Sequence, residues 1–150
     1  DIKMMQHFAS KILDMFKLRE EIINYVEKLL KQLAPNLLDL AGVSLATKLI
    51  AKAGGLDRLS RMPSSTIQLI GAEKALFRFL HGKGKSPRHG IIFSHPLIQN
   101  ARDQYRGKLA RLVASKLSIA SKLDYYSKEY KGDKLKKEML EKAKEIISQK

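Results

Sequence analysis

The chain has 150 residues, 44% of them apolar, and no cysteine, which suits one domain with its own core and excludes disulfides and thiolate metal sites. No apolar run approaches the roughly 18 residues that a membrane-spanning helix needs, so we expect no membrane partner. The net charge is +14, from 29 Lys and Arg against 15 Asp and Glu. Such a one-sided charge indicates a polyanionic partner, most often nucleic acid, although a generally basic surface that promotes solubility would give the same total.

Residues 1–34 predict one long amphipathic helix, because apolar residues recur at intervals of three and four. The pattern is typical of a coiled coil that needs a partner, and equally of an ordinary helix packed on its own domain. Pro35 cannot continue the helix and Asn36 is a favourable N-cap, so a boundary is predicted here. The recurring apolar positions are Met5, Phe8, Ile12, Met15, Ile22, Val26, Leu29 and Leu33.

Residues 37–81 predict four short helical segments. The first covers residues 37–53 and ends at Gly54 and Gly55, which favour a helix C-terminus. The second covers residues 56–62 and is closed by Pro63, and a third covers residues 64–70. Gly71 then indicates a bend or a close approach of the backbone to a partner, and residues 72–81 are again helical in pattern.

The C-terminal half begins with a predicted loop at residues 82–90, which hold three glycines and Pro87. Residues 90–95 are expected to be extended, and Pro96 is expected to open the next element. A long helix is predicted over residues 102–126, with apolar residues on one face and basic residues largely on the other. Gly132 and Asp133 break the chain before a last helix that runs to near Gln149. The predicted fold class is all-α, with no second domain after residue 35.

The charge excess is concentrated between residues 71 and 122. This stretch holds eleven basic side chains against two acidic ones, Glu73 and Asp103. Ion pairing in such a basic field should lower the pKa of both carboxyls, which makes them poor proton carriers at neutral pH. We therefore predict no catalytic residue. The basic side chains are Lys74, Arg78, Lys83, Lys85, Arg88, Arg102, Arg106, Lys108, Arg111, Lys116 and Lys122.

Two other chemistries fit the same stretch poorly. Gly84, Lys85 and Ser86 match the end of a nucleotide-binding loop, but Phe79 stands where the motif needs glycine, and a helix pattern precedes the loop instead of a strand. His81, His89 and His95 lack the spacing of metal ligands on a helix, and no carboxylate completes a set. We expect neither a metal nor a cofactor.

Nucleic-acid binding agrees better with the residue types. Lys74 and Arg78 lie one helical turn apart, and a glycine-rich loop with further cations follows them. His89 is placed to stack on a splayed base, which would favour structured RNA over a regular duplex.

Four sequence runs resemble the Nop domain of the archaeal box C/D ribonucleoprotein core scaffold, a family related to eukaryotic nucleolar Nop proteins. Residues 1–34 are similar to the end of that family's coiled coil, and the resemblance extends over essentially the whole chain. The GAEKALF and PRHGIIF segments are its most specific parts. The four runs are APNLLDLAG, RMPSSTIQLIGAEKALFRFL, SPRHGIIFSHP and RGKLARLVASKLSIASKLDYY.

The resemblance implies a non-enzymatic scaffold, with a coiled-coil segment at residues 1–34 and a Nop domain at residues 35–150. It implies binding of a box C/D guide RNA at its kink-turn, together with a small kink-turn-binding protein, and self-association through a complete coiled coil. Fibrillarin, recruited by an N-terminal domain absent from this chain, would carry the RNA 2′-O-methylation. The chain alone is expected to bind RNA without recruiting fibrillarin. The expected location is cytoplasmic in an archaeon and nucleolar in a eukaryote.

The resemblance also assigns the RNA-binding residues. Apolar members of the same runs, Leu76, Phe77, Ile91 and Phe93, are expected in the core or against the protein partner. A competing interpretation is a basic helical module that binds acidic protein surfaces. The implied RNA-binding residues are Gly71, Ala72, Glu73, Lys74, Arg78, Lys83, Lys85, Pro87, Arg88, His89 and Gly90.

Overall fold

A computed structural model describes residues 1–148, and within that range the chain is helical with no β-strand, which confirms the predicted all-α class. No helix in this range is long and apolar enough to cross a membrane. A 3₁₀ turn at Ile91–Ser94 precedes α6, and a π-helical turn at Leu123–Ser127 follows α7. The α-helices are α1 Ile2–Leu33, α2 Pro35–Ala53, α3 Leu56–Arg61, α4 Ser64–Leu69, α5 Glu73–Leu80, α6 Pro96–Gln99, α7 Asp103–Lys122 and α8 Gly132–Ser148.

Proline and glycine set several helix boundaries, as the sequence predicts. Pro35 is the first residue of α2, where a missing N–H breaks no helical hydrogen bond. Gly54 ends α2 in the left-handed conformation at φ 82°, and the N–H of Gly55 donates to the carbonyl of Ile50 at 2.9 Å. Pro63 follows the end of α3. The last predicted helix is α8, and Gln149 lies outside the described residues.

Helix α7 lies at the centre of the core. It packs against α2, α3, α4, α6 and α8, so most of the other helices are positioned by contact with it. Its predicted apolar face is confirmed, because Leu109, Val113, Leu117 and Ala120 are fully buried. Burying each of the larger side chains contributes about 1.5–3 kcal/mol.

Helix α1 leaves most of its length uncovered. Residues 1–25 are exposed, and Leu30 is the one buried residue of the helix. Phe8 is 66% exposed and Ile22 53%, although both belong to the predicted apolar stripe. The C-terminal end of α1 packs on α2. Within the part of the chain that the structure describes, nothing covers this stripe, which argues against a helix packed on its own domain.

Asn36 does not cap α2, contrary to the sequence prediction. Helix α2 begins one residue earlier, and its N-terminus is capped by Asp124, a buried residue of the distant π-helical turn. The Asp124 carboxylate accepts hydrogen bonds from the backbone N–H groups of Asn36 and Leu37 at 3.0 and 2.9 Å. The Asn36 amide donates to Asp124 and to the carbonyl of Glu129, and its oxygen accepts from the N–H of Lys131. Asn36 therefore ties the start of α2 to the segment before α8.

The prediction that residues 90–95 are extended is also wrong. Ile91–Ser94 forms a 3₁₀ turn, in which the Ser94 hydroxyl donates to the carbonyl of Ile91 at 3.0 Å. His95 then caps α6 by accepting the N–H of Leu97 on Nδ1, and its Nε2 donates to the carbonyl of Leu40 at 2.9 Å. This arrangement needs the neutral ring, and burial lowers the pKa of His95.

Candidate nucleic-acid interface

Residues 71–74, the GAEK turn, connect α4 to α5. Gly71 has a positive φ of 86°, so the predicted bend occurs. A Cβ atom there would lie 2.5 Å from the Cγ2 of Ile91, so the close approach is to another part of the chain itself. The N–H of Gly71 donates to the Glu73 carboxylate at 2.6 Å, and this hydrogen bond is the main reason that the pKa of Glu73 is lowered. Glu73 thus holds the turn. The charge of Lys52 also lowers the pKa of Glu73, so the electrostatic effect that the sequence suggested is present but is a smaller cause.

The segment Pro87–Gly90, the PRHG run, lies directly against the GAEK turn. The N–H of Gly90 donates to the carbonyl of Gln68 at 2.8 Å, and the N–H of Ile91 donates to that of Ile70 at 2.8 Å. The Gln68 amide donates in turn to the carbonyl of Arg88 at 2.7 Å. Gly90 touches the backbone of Ile70 so closely that a Cβ atom would overlap its carbonyl group. The two runs that the sequence singled out therefore form one continuous surface.

Side chains of α7 and of the 3₁₀ turn hold Arg88 and His89 in place. Arg88 Nη1 lies 2.8 Å from the carboxylate of Asp103, and this contact lowers the pKa of Asp103, as the sequence predicts. The His89 ring stacks on Phe93 with 4.6 Å between centroids, and the guanidinium of Arg106 lies 5.4 Å from the Phe93 ring. Burial and the nearby Arg106 charge lower the pKa of His89, which favours the neutral ring.

Four cations line the open side of this surface. Lys74 and Arg78 are exposed on α5, and Lys83 and Lys85 are exposed in the loop that follows. Within residues 1–148, none of the four has a carboxylate within 4 Å. Arg78, Lys83 and Lys85 border one shallow hollow, so their charges add in a single place. Unpaired cations gathered in this way favour the binding of phosphate groups.

Helix α5 also presents apolar side chains to the solvent. None of its eight residues is buried, and Phe77 and Leu80 are 63% and 71% exposed. Ile91 and Phe93 instead pack against the core, and Leu76 is half-buried. Of the four apolar residues that the sequence assigned to the core or to a protein partner, Phe77 is thus the one that a partner can reach fully.

The remaining sequence candidates for chemistry are dispersed. His81 lies beside Phe77, His89 on Phe93, and His95 is buried. Among the residues described, no group of three His, Asp or Glu side chains is placed to hold a metal ion. The Gly84–Ser86 loop follows a helix, so it does not have the strand that a nucleotide-binding loop requires.

Arg102, Lys108 and Arg111 belong to the charge excess of residues 71–122, but the sequence pattern does not place them in the site. The structure brings them beside Arg88, in a cleft over the first half of α7. The sequence does contain a signal that groups part of this cleft, because residues 104, 107, 108 and 111 have the spacing of one helix face.

Comparison with known proteins gives the family. The family model described as "Nop: snoRNA binding domain, fibrillarin" matches residues 1–145. The chain belongs to the Nop family. It is 46% identical over 149 residues to a NOP5 family protein of Methanocaldococcus jannaschii, covering 99% of this chain and 35% of that protein. It is 36% identical over 144 residues to nucleolar protein 56 of Homo sapiens, covering 94% of this chain and 24% of that protein.

A solved structure confirms the Nop fold. A chain in the crystal structure of a fibrillarin/Nop5p complex matches with a TM-score of 0.77 at 36% identity. The match covers 94% of this Nop chain and 53% of that chain. Of the two relatives named above, the chain spans about a third of the archaeal protein's length and about a quarter of the human protein's length.

Proposed function

We propose that this chain is the RNA-binding scaffold module of a box C/D guide ribonucleoprotein. In this role it recognises a kink-turn RNA together with a small kink-turn-binding protein and supports fibrillarin-dependent 2′-O-methylation of RNA. The observation that carries the proposal is the single surface made by the GAEK turn and the PRHG run, flanked by cations that have no carboxylate partner within residues 1–148. Membership in a family described by snoRNA binding and fibrillarin supports it.

The residues of this surface have different roles in the proposal. Lys74, Arg78, Lys83 and Lys85 bind phosphates, because they are exposed and carry no internal partner within the described chain. Gly71, Glu73 and Gly90 act indirectly, since they hold the two runs together. Ala72 and Pro87 are half-buried and shape the same backbone. Asp103 holds Arg88 in place next to the phosphate-binding cations. One face of the His89 ring stacks on Phe93, so the other face is left for an RNA base to stack on.

Protein partners are assigned to the exposed apolar surfaces. Phe77 and Leu80 on α5 lie next to Lys74 and Arg78, so a small protein bound to the RNA can touch both kinds of side chain at once. The uncovered stripe of α1 is assigned to coiled-coil pairing and self-association. Recruitment of fibrillarin, which supplies the catalysis, is assigned to parts of the relatives that this chain does not span. The proposed location of this chain is cytoplasmic if its source is an archaeon and nucleolar if its source is a eukaryote.

A mobility-shift titration tests the proposal. Kink-turn RNA is titrated with the chain, with and without the small kink-turn-binding protein, and an unrelated RNA duplex of equal length serves as the control. We expect the small protein to increase the affinity for kink-turn RNA and not for the duplex. Equal binding to both RNAs, with no effect of the small protein, would show a general polyanion-binding surface and contradict the proposal. A chain that binds acidic proteins and is not displaced by excess RNA would support the competing protein-interaction module.

A further inference from the structure

Ser86 differs from the other serine and threonine residues in its backbone surroundings. Within residues 1–148, every other serine and threonine lies in an α-helical, 3₁₀ or π-helical segment. Ser86 is exposed and lies in the loop between α5 and the 3₁₀ turn. In that described range, the N–H groups of Gly84, Lys85 and Ser86 donate to no backbone carbonyl. An enzyme that modifies hydroxyl groups can therefore bind this segment without first breaking a helix.

Pro87 gives Ser86 a second feature that a modifying enzyme can recognise. The residue before a proline is biased towards extended backbone, which is the form in which kinases take up a substrate segment. The four prolines follow Ala34, Met62, Ser86 and His95, so the sequence contains one Ser-Pro pair and no Thr-Pro pair. A large class of serine/threonine kinases requires proline directly after the residue that it phosphorylates. Ser86 meets both the conformational and the sequence requirement of such an enzyme.

The charged groups next to Ser86 along the chain are all cations. No Asp or Glu occurs in residues 74–102. Lys85, which directly precedes Ser86, borders the shallow hollow together with Arg78 and Lys83. A phosphoserine carries a charge of about −1.5 to −2 at pH 7 and three strong acceptor oxygens. A phosphate attached to Ser86 would thus be tethered beside cations that have no carboxylate partner within residues 1–148.

We propose that Ser86 is a phosphorylation site, and that its phosphate turns off RNA binding at the surface formed by residues 71–74 and 87–90. The Ser86 Oγ attacks the γ-phosphorus of a nucleoside triphosphate held by a serine/threonine kinase. An Oγ–P bond forms while the bond from this phosphorus to the β–γ bridging oxygen breaks. The nucleoside diphosphate leaves, and the hydroxyl proton passes to a base of the kinase. Hydrolysis by a phosphatase restores the free hydroxyl.

The phosphate acts by competition for cations. The inference rests on the proposed function, because it requires Arg78, Lys83 and Lys85 to bind RNA phosphates. A phosphoserine that pairs with these cations removes them from the RNA and also repels its backbone. The hydrogen bonds that join the two runs start from Gly90, Ile91 and Gln68, outside the loop that carries Ser86. The fold should therefore stay intact while RNA affinity falls.

The binding test uses the chain with phosphoserine incorporated at position 86 during synthesis. Kink-turn RNA is titrated in the presence of the small kink-turn-binding protein, and the unmodified chain is titrated in parallel. We expect the phosphate at position 86 to weaken binding by roughly tenfold and to reduce the salt slope by about 0.9 for each cation that it occupies. The matched control carries phosphoserine at position 148, an exposed residue of α8, and should bind RNA as the unmodified chain does. Ser86→Ala, which removes only the hydroxyl, should also bind RNA normally.

A second measurement tests whether the modification occurs. The protein is isolated from its own cells, separated into RNA-bound and RNA-free fractions, and mapped by mass spectrometry of its peptides. We expect a phosphate on Ser86 in the RNA-free fraction and an unmodified Ser86 in the RNA-bound fraction. An unmodified Ser86 in both fractions would overturn the proposed site.

The remaining outcomes separate this inference from the proposed function. Unchanged RNA affinity with phosphoserine at position 86 would overturn the inference, and so would an equal loss with phosphoserine at position 148. A lowered free energy of unfolding in the chain phosphorylated at Ser86 would show that the loss of binding comes from a damaged fold, which also overturns it. An unmodified chain that binds kink-turn RNA and a plain duplex equally, with no effect of the small protein, would contradict the proposed function itself.

Discussion

The substitution Gly90→Ala tests how the two runs are held together. The space around Gly90 requires glycine at this position. A Cβ atom would overlap the carbonyl group of Ile70 and approach the carbonyl carbon of Leu69 to 2.9 Å. The alanine methyl group can be accommodated only if the PRHG run moves away from the GAEK turn.

The expected cost follows from the contacts that such a movement disturbs. Forcing one extra methyl group into a tight contact costs about 1–3 kcal/mol. The run is also held by the hydrogen bonds from Gly90 to Gln68 and from Ile91 to Ile70, and the loss of one of them adds about 1 kcal/mol. We therefore expect the free energy of unfolding to fall by about 2–4 kcal/mol. For a chain of this size, that corresponds to a melting temperature lower by about 4–16 °C.

Urea unfolding followed by far-ultraviolet circular dichroism measures this change, with Gly107→Ala as the matched control. The control makes the same chemical change inside α7, where a Cβ has free space, and should raise the free energy of unfolding by about 0.5–1 kcal/mol. Opposite signs for the two glycines are the expected result. A Gly90→Ala variant with wild-type stability and wild-type affinity for kink-turn RNA would refute the packing of the two runs.

Three further predictions concern other parts of the chain. Because burial lowers the pKa of His95, the unfolded state binds a proton more readily than the folded state does. The contribution of the neutral ring to the free energy of unfolding is therefore fully present above about pH 6.5 and falls as the pH drops below it. The stability advantage of wild type over His95→Gln should therefore narrow by up to about 1.4 kcal/mol per pH unit in urea titrations below pH 6.5, and a constant difference would exclude this role. Asp124→Asn, which weakens the cap of α2, should lower the free energy of unfolding by about 1.5–3 kcal/mol, and wild-type stability would show that the cap is dispensable. Lys85→Ala should reduce the salt slope of RNA binding by about 0.9, whereas Lys144→Ala on α8 should not, and an unchanged slope would remove Lys85 from the interface.

The sequence predicts the elements whose causes are local. Pro35, Gly54 and Pro63 act on their own backbone, so the boundaries near them are confirmed. Helical spacing likewise identifies the buried face of α7. Asn36 was misassigned because its partner, Asp124, is 88 residues away along the chain. Residues 90–95 were misassigned because their apolar and β-branched side chains suggest a strand, whereas no neighbouring strand exists within residues 1–148.

The candidate site could be predicted in composition but not in arrangement. The GAEK and PRHG runs were identified from the sequence, and Gly71 correctly indicated a bend. The contact with Ile91 and the pairing of Arg88 with Asp103 depend on tertiary packing, so local patterns could not reveal them. The same packing creates the α7 cleft, and it lets the Glu73 carboxylate accept a hydrogen bond within the turn.

The central claim, that the joined GAEK and PRHG runs form the RNA-binding surface, is tested most directly by photo-cross-linking. Kink-turn RNA that carries 4-thiouridine is bound to the chain and the small kink-turn-binding protein, irradiated, and the cross-linked peptides are identified by mass spectrometry. The predicted result is that cross-links fall in residues 71–90. Cross-links confined to α1 or α8 would contradict the account.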